Sequence, residues 1–287
     1  GIEGENYILS DQSGTAHSTY WTIAKRMLVI SWPSTTIYTY SGLEYTMTPT
    51  ITNVILGDTV IPSYTGVRQA TNVGDYSVSV TSKSGEGSQN YELPYNEFDW
   101  SIIPKLLNAS FTTNSQTYDN QPHGVTLTIT GVIASDILSI NSIYTAKEVG
   151  TTKDLTDTGF MPSDTVLNFA AGSSTRTQDY SAVKAGNYNV TISLNNMPNY
   201  TLGGTTSRSW TISKAVITMT YSGSGQSVYD GLPHGITASV SGIVGDEEVI
   251  FDVTTDTYAN SGFDKNTPVT NGVYSFTRTN YGFSTLS

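Results

Sequence analysis

The stretch GNYNVTIS, residues 186–193, alternates apolar and polar side chains from Tyr188 onward. The segments Tyr76-Ser-Val-Ser-Val-Thr81 and Trp210-Thr-Ile-Ser213 alternate in the same way. A period of two is typical of strands with one buried face, and Val, Ile, Thr and Tyr favour strands. Helical periodicity is nearly absent, and clusters of Gly, Asn, Asp and Pro separate the apolar runs. The sequence therefore predicts an all-β chain.

Short motifs recur three times along the chain in the same order. They are a tyrosine turn beginning at Tyr40, Tyr118 and Tyr229, an acidic turn ending at Asp58, Asp136 and Asp246, a Gly-x-Tyr strand with Tyr76, Tyr188 and Tyr274, and an Asn-Tyr pair ending at Tyr91, Tyr200 and Tyr281. From tyrosine turn to acidic turn the spacing is 18, 18 and 17 residues. The order and spacing predict three copies of one structural unit.

The repeat boundaries are offset from the two ends of the sequence. We place the repeats at 27–105, 106–214 and 215–287, with an insertion at about 145–184 in the second. Residues 1–26 read as the closing part of a repeat without its body, because Trp21-Thr-Ile-Ala-Lys25 matches the Trp-x-Ile closures at Trp100 and Trp210. The third repeat lacks this closing strand.

At Tyr229-Asp-Gly-Leu-Pro-His234, at the Gly-x-Tyr-x-Val strands and at the Asn-Tyr and Trp-x-Ile-x-Lys closures, the chain resembles the MBG and YDG families of bacterial extracellular repeats. The resemblance covers nearly the whole chain. It implies a module of tandem arrays in surface proteins and adhesins, without enzymatic activity. The fold expected from it is three tandem Ig-like β-sandwich domains in an elongated rod, with β-grasp-like repeats as the alternative. The first repeat departs from the pattern at Ser41 and Tyr45.

Composition excludes several classes of function. The chain has 13 Lys plus Arg against 24 Asp plus Glu, a net charge of −11, which opposes binding to nucleic acid. It has no Cys, so disulfides, thiol catalysis and Cys-ligated metals are excluded. No apolar run reaches the roughly 18 residues of a membrane span, so we expect no membrane insertion. A hydroxyl-rich chain without Cys fits an extracellular location on a bacterial cell surface.

Residues able to carry chemistry form no catalytic pattern. His123 and His234 occupy the same position in two repeats, so they are expected to lie in different domains and to have packing or hydrogen-bonding roles. No nucleophile elbow, phosphate loop or zinc motif is present, so we expect no enzyme and no catalytic or cofactor-binding residues. Asp58, Asp136 and Asp246 are interpreted as solvated turn residues, with calcium at the domain junctions as the alternative. Lys25, Lys105 and Lys214 are interpreted as strand ends rather than as isopeptide crosslinks.

Large aromatic residues at fixed repeat positions are predicted to anchor the cores. These anchors are Tyr76, Trp100, Tyr188, Trp210 and Tyr274. A Tyr two residues after Gly resembles the tyrosine corner of sandwich domains, whose hydroxyl bonds back to the main chain. In the tyrosine turns, Asp is expected to cap local N–H groups while Gly or Asn takes a left-handed conformation.

These features favour a surface stalk or a filament subunit. The offset boundaries suggest that a strand containing Tyr20, Trp21 and Ile23 completes the open third repeat of the next molecule. The alternative is a piece of a longer array, whose partners are the neighbouring repeats. A competing function is an adhesin that binds carbohydrate or a host receptor through Tyr38, Tyr40 and Tyr45 or through the insertion.

Overall fold

The computed structural model describes residues 21–112, 115–155, 166–222, 237–248, 252–256, 268–273 and 281–283. Side-chain burial is described for those of them up to residue 220 and for residues 239–248. Regular structure in these residues consists of β-strands and one 3₁₀ turn at Ser88–Asn90, so the all-β prediction is confirmed. The chain divides into two compact units. The first comprises Gly1–Tyr38, Glu44–Ala70 and Gly74–Ser101, and the second comprises Thr39–Leu43, Thr71–Val73 and Ile102–Ser287.

The first repeat is built from short strands. They are β1 (Arg26–Met27), β2 (Val29–Ser31), β3 (Ile37–Thr39), β4 (Tyr45–Thr46), β5 (Thr50–Thr52), β6 (Ile61–Gly66), β7 (Gln69–Ala70), β8 (Gly74–Ser84), β9 (Tyr91–Glu92) and β10 (Phe98–Ile103). Four of them form a sheet in the order β3-β10-β8-β6, and the others pair as β1-β9, β2-β5 and β4-β7. Trp32 stacks on the buried Phe98 with ring centroids 5.2 Å apart, within the core of the first unit.

The second repeat has longer strands and two complete sheets. Its strands are β11 (Lys105–Phe111), β12 (Gln116–Thr117), β13 (His123–Thr130), β14 (Leu138–Lys147), β15 (Val166–Phe169), β16 (Thr175–Ala182), β17 (Gly186–Leu194), β18 (Tyr200–Gly204) and β19 (Ser207–Ser213). The sheet orders are β16-β13-β11-β18 and β12-β19-β17-β14-β15. Ser142 of β14 and Tyr180 of β16 share a buried hydrogen bond of 3.1 Å, so the two sheets pack on each other.

Alternation of side chains fills the core of this repeat. Along β17, Tyr188, Val190 and Ile192 are buried while the residues between them face outward. Leu127 and Ile129 do the same on β13 of the other sheet. Each buried aliphatic side chain contributes about 1.5–3 kcal/mol relative to its exposed state, which fixes the register of these strands.

The first two repeats share one pairing scheme. In the second repeat β18, β11, β13 and β16 are neighbours in that order. The first repeat has shorter strands in the same arrangement: β9 pairs with β1 as β18 does with β11, β2 with β5 as β11 does with β13, and β4 with β7 as β13 does with β16. The sheet β12-β19-β17-β14 likewise matches β3-β10-β8-β6. The insertion adds β15, which pairs antiparallel with β14 at the edge of its sheet.

Less of the third repeat is described. Its strands are β20 (Ala215–Ser222), β21 (Thr237–Ser241), β22 (Asp252–Asp256), β23 (Pro268–Val273) and β24 (Tyr281–Phe283). β20 lies between β21 and β24, as β11 lies between β13 and β18. The parallel pairing starts at the same place in all three repeats, with Arg26 opposite Tyr91, Lys105 opposite Tyr200 and Ala215 opposite Tyr281. The Asn-Tyr motif therefore marks the strand that pairs with the opening strand of its own repeat.

Gly124 gives a test of the β13–β16 pairing. A Cβ at Gly124 would lie 1.8 Å from the carbonyl oxygen of Tyr180, which is main chain and cannot rotate away. We expect Gly124→Ala to lower the free energy of unfolding by about 3 kcal/mol or more, measured by urea denaturation. Gly150→Ala is the control, because nothing lies within 4 Å of its Cβ and only its positive φ of 78° is strained, at about 1–2 kcal/mol. Equal losses in the two variants would contradict this pairing.

Candidate functional site

Asp136, at the end of the acidic turn of the second repeat, accepts hydrogen bonds from two tyrosines. The hydroxyls of Tyr40 and Tyr200 both donate to Oδ2, at 2.8 and 2.6 Å. Tyr200 belongs to the same repeat, whereas Tyr40 comes from the tyrosine turn of the first repeat; all three residues lie in the second compact unit. The carboxylate of one repeat is thus satisfied in part by the preceding repeat in the sequence. We call this group the tyrosine–carboxylate cluster.

The two tyrosines are held rigidly around the carboxylate. Their rings meet edge to face with centroids 5.4 Å apart, and both side chains are buried. The Tyr200 hydroxyl also accepts a hydrogen bond from the backbone N–H of Ile133 at 3.0 Å. Burial, followed by the hydrogen bond to Asp136, raises the pKa of Tyr40 to about 12, and the same causes raise the pKa of Tyr200 further. Both phenols therefore stay protonated donors at neutral pH.

The first repeat contains the same arrangement around Asp58. The Tyr91 hydroxyl donates to Asp58 Oδ2 at 2.6 Å and accepts from the N–H of Ile55 at 2.8 Å. The turn that carries the acid is also the same, since the Asp58 N–H donates to the Ile55 carbonyl as the Asp136 N–H donates to that of Ile133. Burial and the carboxylate raise the pKa of Tyr91 as well.

In the third repeat the corresponding acid is Glu247, not Asp246. The Tyr118 hydroxyl, from the tyrosine turn of the second repeat, donates to Glu247 Oε1, and the Glu247 N–H donates to the Val244 carbonyl. With this assignment the spacing from tyrosine turn to acid becomes constant, because 58 − 40, 136 − 118 and 247 − 229 are all 18. The sequence pattern predicts Asp246 when the motifs are aligned by the type of acid, whereas alignment by position in the backbone turn gives Glu247.

A left-handed residue begins each acidic turn. Asn53, Gly131 and Gly242 have φ values of 70°, 93° and 90°, and each lies five residues before its acid. At Gly242 a Cβ would also lie 2.3 Å from the Val216 carbonyl oxygen of the opening strand, so glycine is required there. The equal position of these residues supports Glu247 as the third acid.

The tyrosine turns have the predicted conformation where they are described. Gly42 and Asn120 have φ values of 75° and 61°, and Asp119 Oδ1 accepts from the N–H of Gln121 at 2.9 Å. His123 lies 2.7 Å from the same carboxylate oxygen, a hydrogen-bonding role as expected, and this contact lowers the pKa of Asp119. A Cβ on Gly42 would lie 2.9 Å from Ile133, which shows how closely the first turn packs beside the cluster.

Asn199, next to Tyr200, makes a second contact with the first repeat. Its Oδ1 accepts from the N–H of Val73 at 2.9 Å, and its Nδ2 donates to Asn72 Oδ1 at 3.0 Å. The loop Thr71–Val73 belongs to the second compact unit, together with the tyrosine turn Thr39–Leu43. Both residues of the Asn-Tyr motif therefore contact segments of the preceding repeat.

The aromatic anchors lie in the cores, where they are described. Trp100, Trp210 and Tyr188 are buried and Tyr76 is half-buried. Each Gly-x-Tyr tyrosine packs on the closing tryptophan, with centroids 4.7 Å apart for Tyr76–Trp100 and 5.3 Å apart for Tyr188–Trp210. The Tyr188 hydroxyl donates to the Lys184 carbonyl four residues upstream, a contact of the tyrosine-corner kind.

Other predicted residues lie outside the described part or away from the clusters. Tyr20 and Tyr274 fall outside the described residues. Trp21 and Ile23 are exposed and are not in a strand. Their role as a donor strand stays a prediction.

The tyrosines proposed for ligand binding do not share one environment. Tyr40 is only 6% exposed, because it is packed in the cluster around Asp136. Tyr38 and Tyr45 are half-buried, and their rings are inclined by 35° at a centroid distance of 4.6 Å. Burial of Tyr40 leaves only Tyr38 and Tyr45 of these three partly accessible to a ligand.

Within the described ranges, no three His, Asp or Glu side chains lie close enough together to form a metal site. The calcium alternative stays a prediction. A search of the same ranges finds no helix long and apolar enough to cross a membrane. Comparison of the chain with protein-family models and with curated proteins finds no match.

The Tyr40 hydroxyl should contribute to stability through its bond to a carboxylate. We expect Tyr40→Phe to lower the free energy of unfolding of the second unit by about 1–3 kcal/mol, measured by urea denaturation. Tyr95→Phe is the matched control, because Tyr95 is 89% exposed while its hydroxyl also bonds a carboxylate, that of Glu97. Its effect on the free energy of unfolding of the first unit, to which Tyr95 belongs, should stay below about 0.5 kcal/mol. An equal loss in both variants would contradict a special role for the Tyr40 contact.

Alkaline pH should weaken the cluster. Because the pKa of Tyr40 is raised from 10.0 to about 12 in the folded chain, its contribution is complete below pH 10 and is lost as pH rises towards 12. Denaturation across this range should show stability falling more steeply with pH in the wild type than in Tyr40→Phe. Phenolate absorbance should show one tyrosine fewer ionising late in the variant. Identical slopes would contradict the raised pKa.

Proposed function

We propose that the chain is a non-enzymatic structural protein of the bacterial cell surface, a stalk or a filament subunit made of tandem Ig-like β-sandwich repeats in an elongated rod. One observation carries this proposal. The tyrosine turn of one repeat bonds the acid of the next twice in succession, as Tyr40 to Asp136 and Tyr118 to Glu247. A contact that recurs in register with the repeat is what a nearest-neighbour array requires.

Strand pairing supports a mechanical role. In the second repeat β12 lies parallel to the closing strand β19, with Gln116 opposite Ile212, and the Tyr118 N–H extends the pair by donating to the Ser213 carbonyl. When the chain is pulled from its ends, parallel strands near the start and the end of a repeat slide in opposite directions. Their hydrogen bonds are then loaded together rather than one after another.

Composition and sequence motifs support the location. A chain without Cys folds independently of whether its surroundings are reducing or oxidising, which is compatible with a location outside the cell. The resemblance of its tyrosine turns and Asn-Tyr closures to MBG and YDG repeats points to the outside of bacteria. We propose either assembly with further copies or continuation into neighbouring repeats, and strand addition through residues 18–25 is one route for assembly.

Single-molecule force spectroscopy tests the mechanical proposal. Because the chain has no Cys, cysteine handles can be placed cleanly. We expect a higher unfolding force with handles at the two ends than with handles at Thr191→Cys and Ser207→Cys. These two exposed residues face each other on the antiparallel strands β17 and β19, so this control peels the pair apart. Equal forces would contradict a load-bearing role for the β12–β19 pair.

An adhesin that binds carbohydrate is the second candidate. The first unit has an open depression in which Asp75, Asp99, Tyr76 and Trp100 lie together, a mixture of acids and aromatics that suits sugars. Trp100 is only 2% exposed, however, so its ring face is not presented to a ligand. Glycan binding that is lost in Asp99→Asn while folding is kept would favour this function over the stalk.

A further inference from the structure

Two tyrosines of the first repeat, Tyr38 and Tyr45, have their rings in contact. The ring centroids are 4.6 Å apart and the ring planes are inclined by 35°. Tyr38 lies on β3, where its hydroxyl donates to the Thr35 carbonyl at 3.2 Å, and Tyr45 begins β4. Both side chains are half-buried. The strands therefore hold the two rings together while the pair remains accessible to small solutes.

The fold of the repeat does not require this pair. In the second repeat, β12 and β13 take the places of β3 and β4. Gln116 of β12 stands at the position of Tyr38, and His123 of β13 stands at the position of Tyr45. The second repeat forms its sheets without two tyrosine rings at these positions. The pair is thus an addition to the first repeat, and its role has to be sought outside the packing that the repeats share.

Other tyrosine pairs in the described ranges are less suited to react with each other. Tyr40 and Tyr200 meet edge to face at a centroid distance of 5.4 Å, and both are buried. The rings of Tyr144 and Tyr188 are 6.2 Å apart, and Tyr188 is buried. Among these described pairs, close contact between the rings coincides with access from solvent only in the pair of the first repeat.

We propose that Tyr38 and Tyr45 form an oxidative crosslinking site, at which a one-electron oxidant joins the two rings as dityrosine. Each phenol gives one electron to a molecule of oxidant, such as a ruthenium(III) complex or a peroxidase intermediate, and one proton to water. The two phenoxyl radicals pair their electrons in a carbon–carbon bond between the ring positions beside the hydroxyls. The hydrogen on each of these carbons then moves to the oxygen, so both phenols are restored and the chain has lost two hydrogen atoms.

Composition and packing favour oxidation at this pair. The chain has no Cys, so no thiol competes for the oxidant. Trp100 contacts both Tyr38, at a centroid distance of 6.2 Å, and Tyr76, at 4.7 Å, so a row of four aromatic rings ends at Tyr45. An electron lost from one ring of this row can be replaced from the next. Because the two tyrosine rings are already in contact, their coupling needs no encounter between molecules.

The new bond would constrain the base of a tyrosine turn. It closes a ring of residues 38–45, which contains Thr39–Leu43, the turn whose Tyr40 bonds Asp136. A crosslink restricts the unfolded chain, as a disulfide does, and this chain has no Cys with which to form a disulfide. We therefore expect the first unit to unfold at a higher urea concentration after oxidation than before it. This gain is independent of the proposed stalk function.

Photo-oxidation of the full-length chain tests the proposal. The oxidant is tris(bipyridine)ruthenium(III), generated by light from the ruthenium(II) complex and persulfate, and the chain is kept dilute to limit coupling between molecules. We expect a monomer that is lighter by two hydrogen atoms and shows dityrosine fluorescence. A protease specific for glutamate cleaves after Glu44, between the two tyrosines, so peptides 6–44 and 45–86 stay joined only through the new bond. Mass spectrometry detects the joined peptides.

Conservative variants identify the rings that react. Tyr38→Phe and Tyr45→Phe keep an aromatic ring but cannot form a phenoxyl radical, so each should abolish the joined peptides and the rise in urea midpoint. Tyr95→Phe is the matched control, because Tyr95 is 89% exposed and lies outside the pair, and it should leave the joined peptides unchanged. If Tyr38→Phe fails to fold, Tyr45→His carries the test, since histidine occupies this position in the second repeat.

Three results would overturn the proposal. Oxidation without any joined peptides would show that the two rings do not couple. Joined peptides that persist in Tyr45→Phe would place the bond at another pair of tyrosines. Joined peptides found only in covalent dimers would show coupling between chains instead of within one chain. The force measurement uses unoxidised chain, so failure of the crosslink is distinguishable from failure of the structural function.

Discussion

A half-buried carboxylate that needs hydrogen-bond donors is the constraint on which the packing around Asp136 depends. Taking a carboxylate out of water is costly unless its oxygens are bonded, and the chain supplies tyrosine hydroxyls for this purpose. Tyr200 is available from the same repeat, and its own hydroxyl is oriented by the Ile133 N–H. The second donor, Tyr40, comes from the preceding repeat. Satisfying the acid therefore brings a specific residue of another repeat to a fixed place.

This dependence explains why the loops of the first repeat belong to the second compact unit. The tyrosine turn Thr39–Leu43 belongs to the second unit because Tyr40 bonds Asp136. The loop Thr71–Val73 belongs to it because the loop is hydrogen-bonded to Asn199. Compact units and sequence repeats need not coincide when a repeat finishes its polar network with residues of its neighbour. The same logic operates between Tyr118 and Glu247, where the longer side chain of Glu reaches the hydroxyl from the same turn position.

Much of the fold could be predicted from local pattern, because a period of two is dictated by which side chains are buried. Val190 and Ile192, buried on β17, follow this rule, and so does the stacking of Tyr188 on Trp210. The candidate site could be predicted only in part. The spacing of the motifs singled out Asp58 and Asp136, but they were interpreted as solvated turn residues. The tyrosines whose hydroxyls bond them are distant in the sequence: Tyr91 lies 33 residues after Asp58, and Tyr200 lies 64 residues after Asp136. Glu247 was missed because the backbone turn, rather than the identity of the acid, sets the position.

The choice of tyrosine over a basic residue agrees with the composition of the chain. With 13 Lys plus Arg against 24 Asp plus Glu, cations are too few to pair every acid. The ion pairs in the described part of the chain, such as Lys147–Asp154 and Lys153–Glu148, lie within the second repeat and are largely exposed, so they contribute little. A neutral O–H donor that is itself buried needs no partner cation and is weakly screened by salt. We therefore expect contacts between repeats that are built in this way to keep their strength when the ionic strength changes.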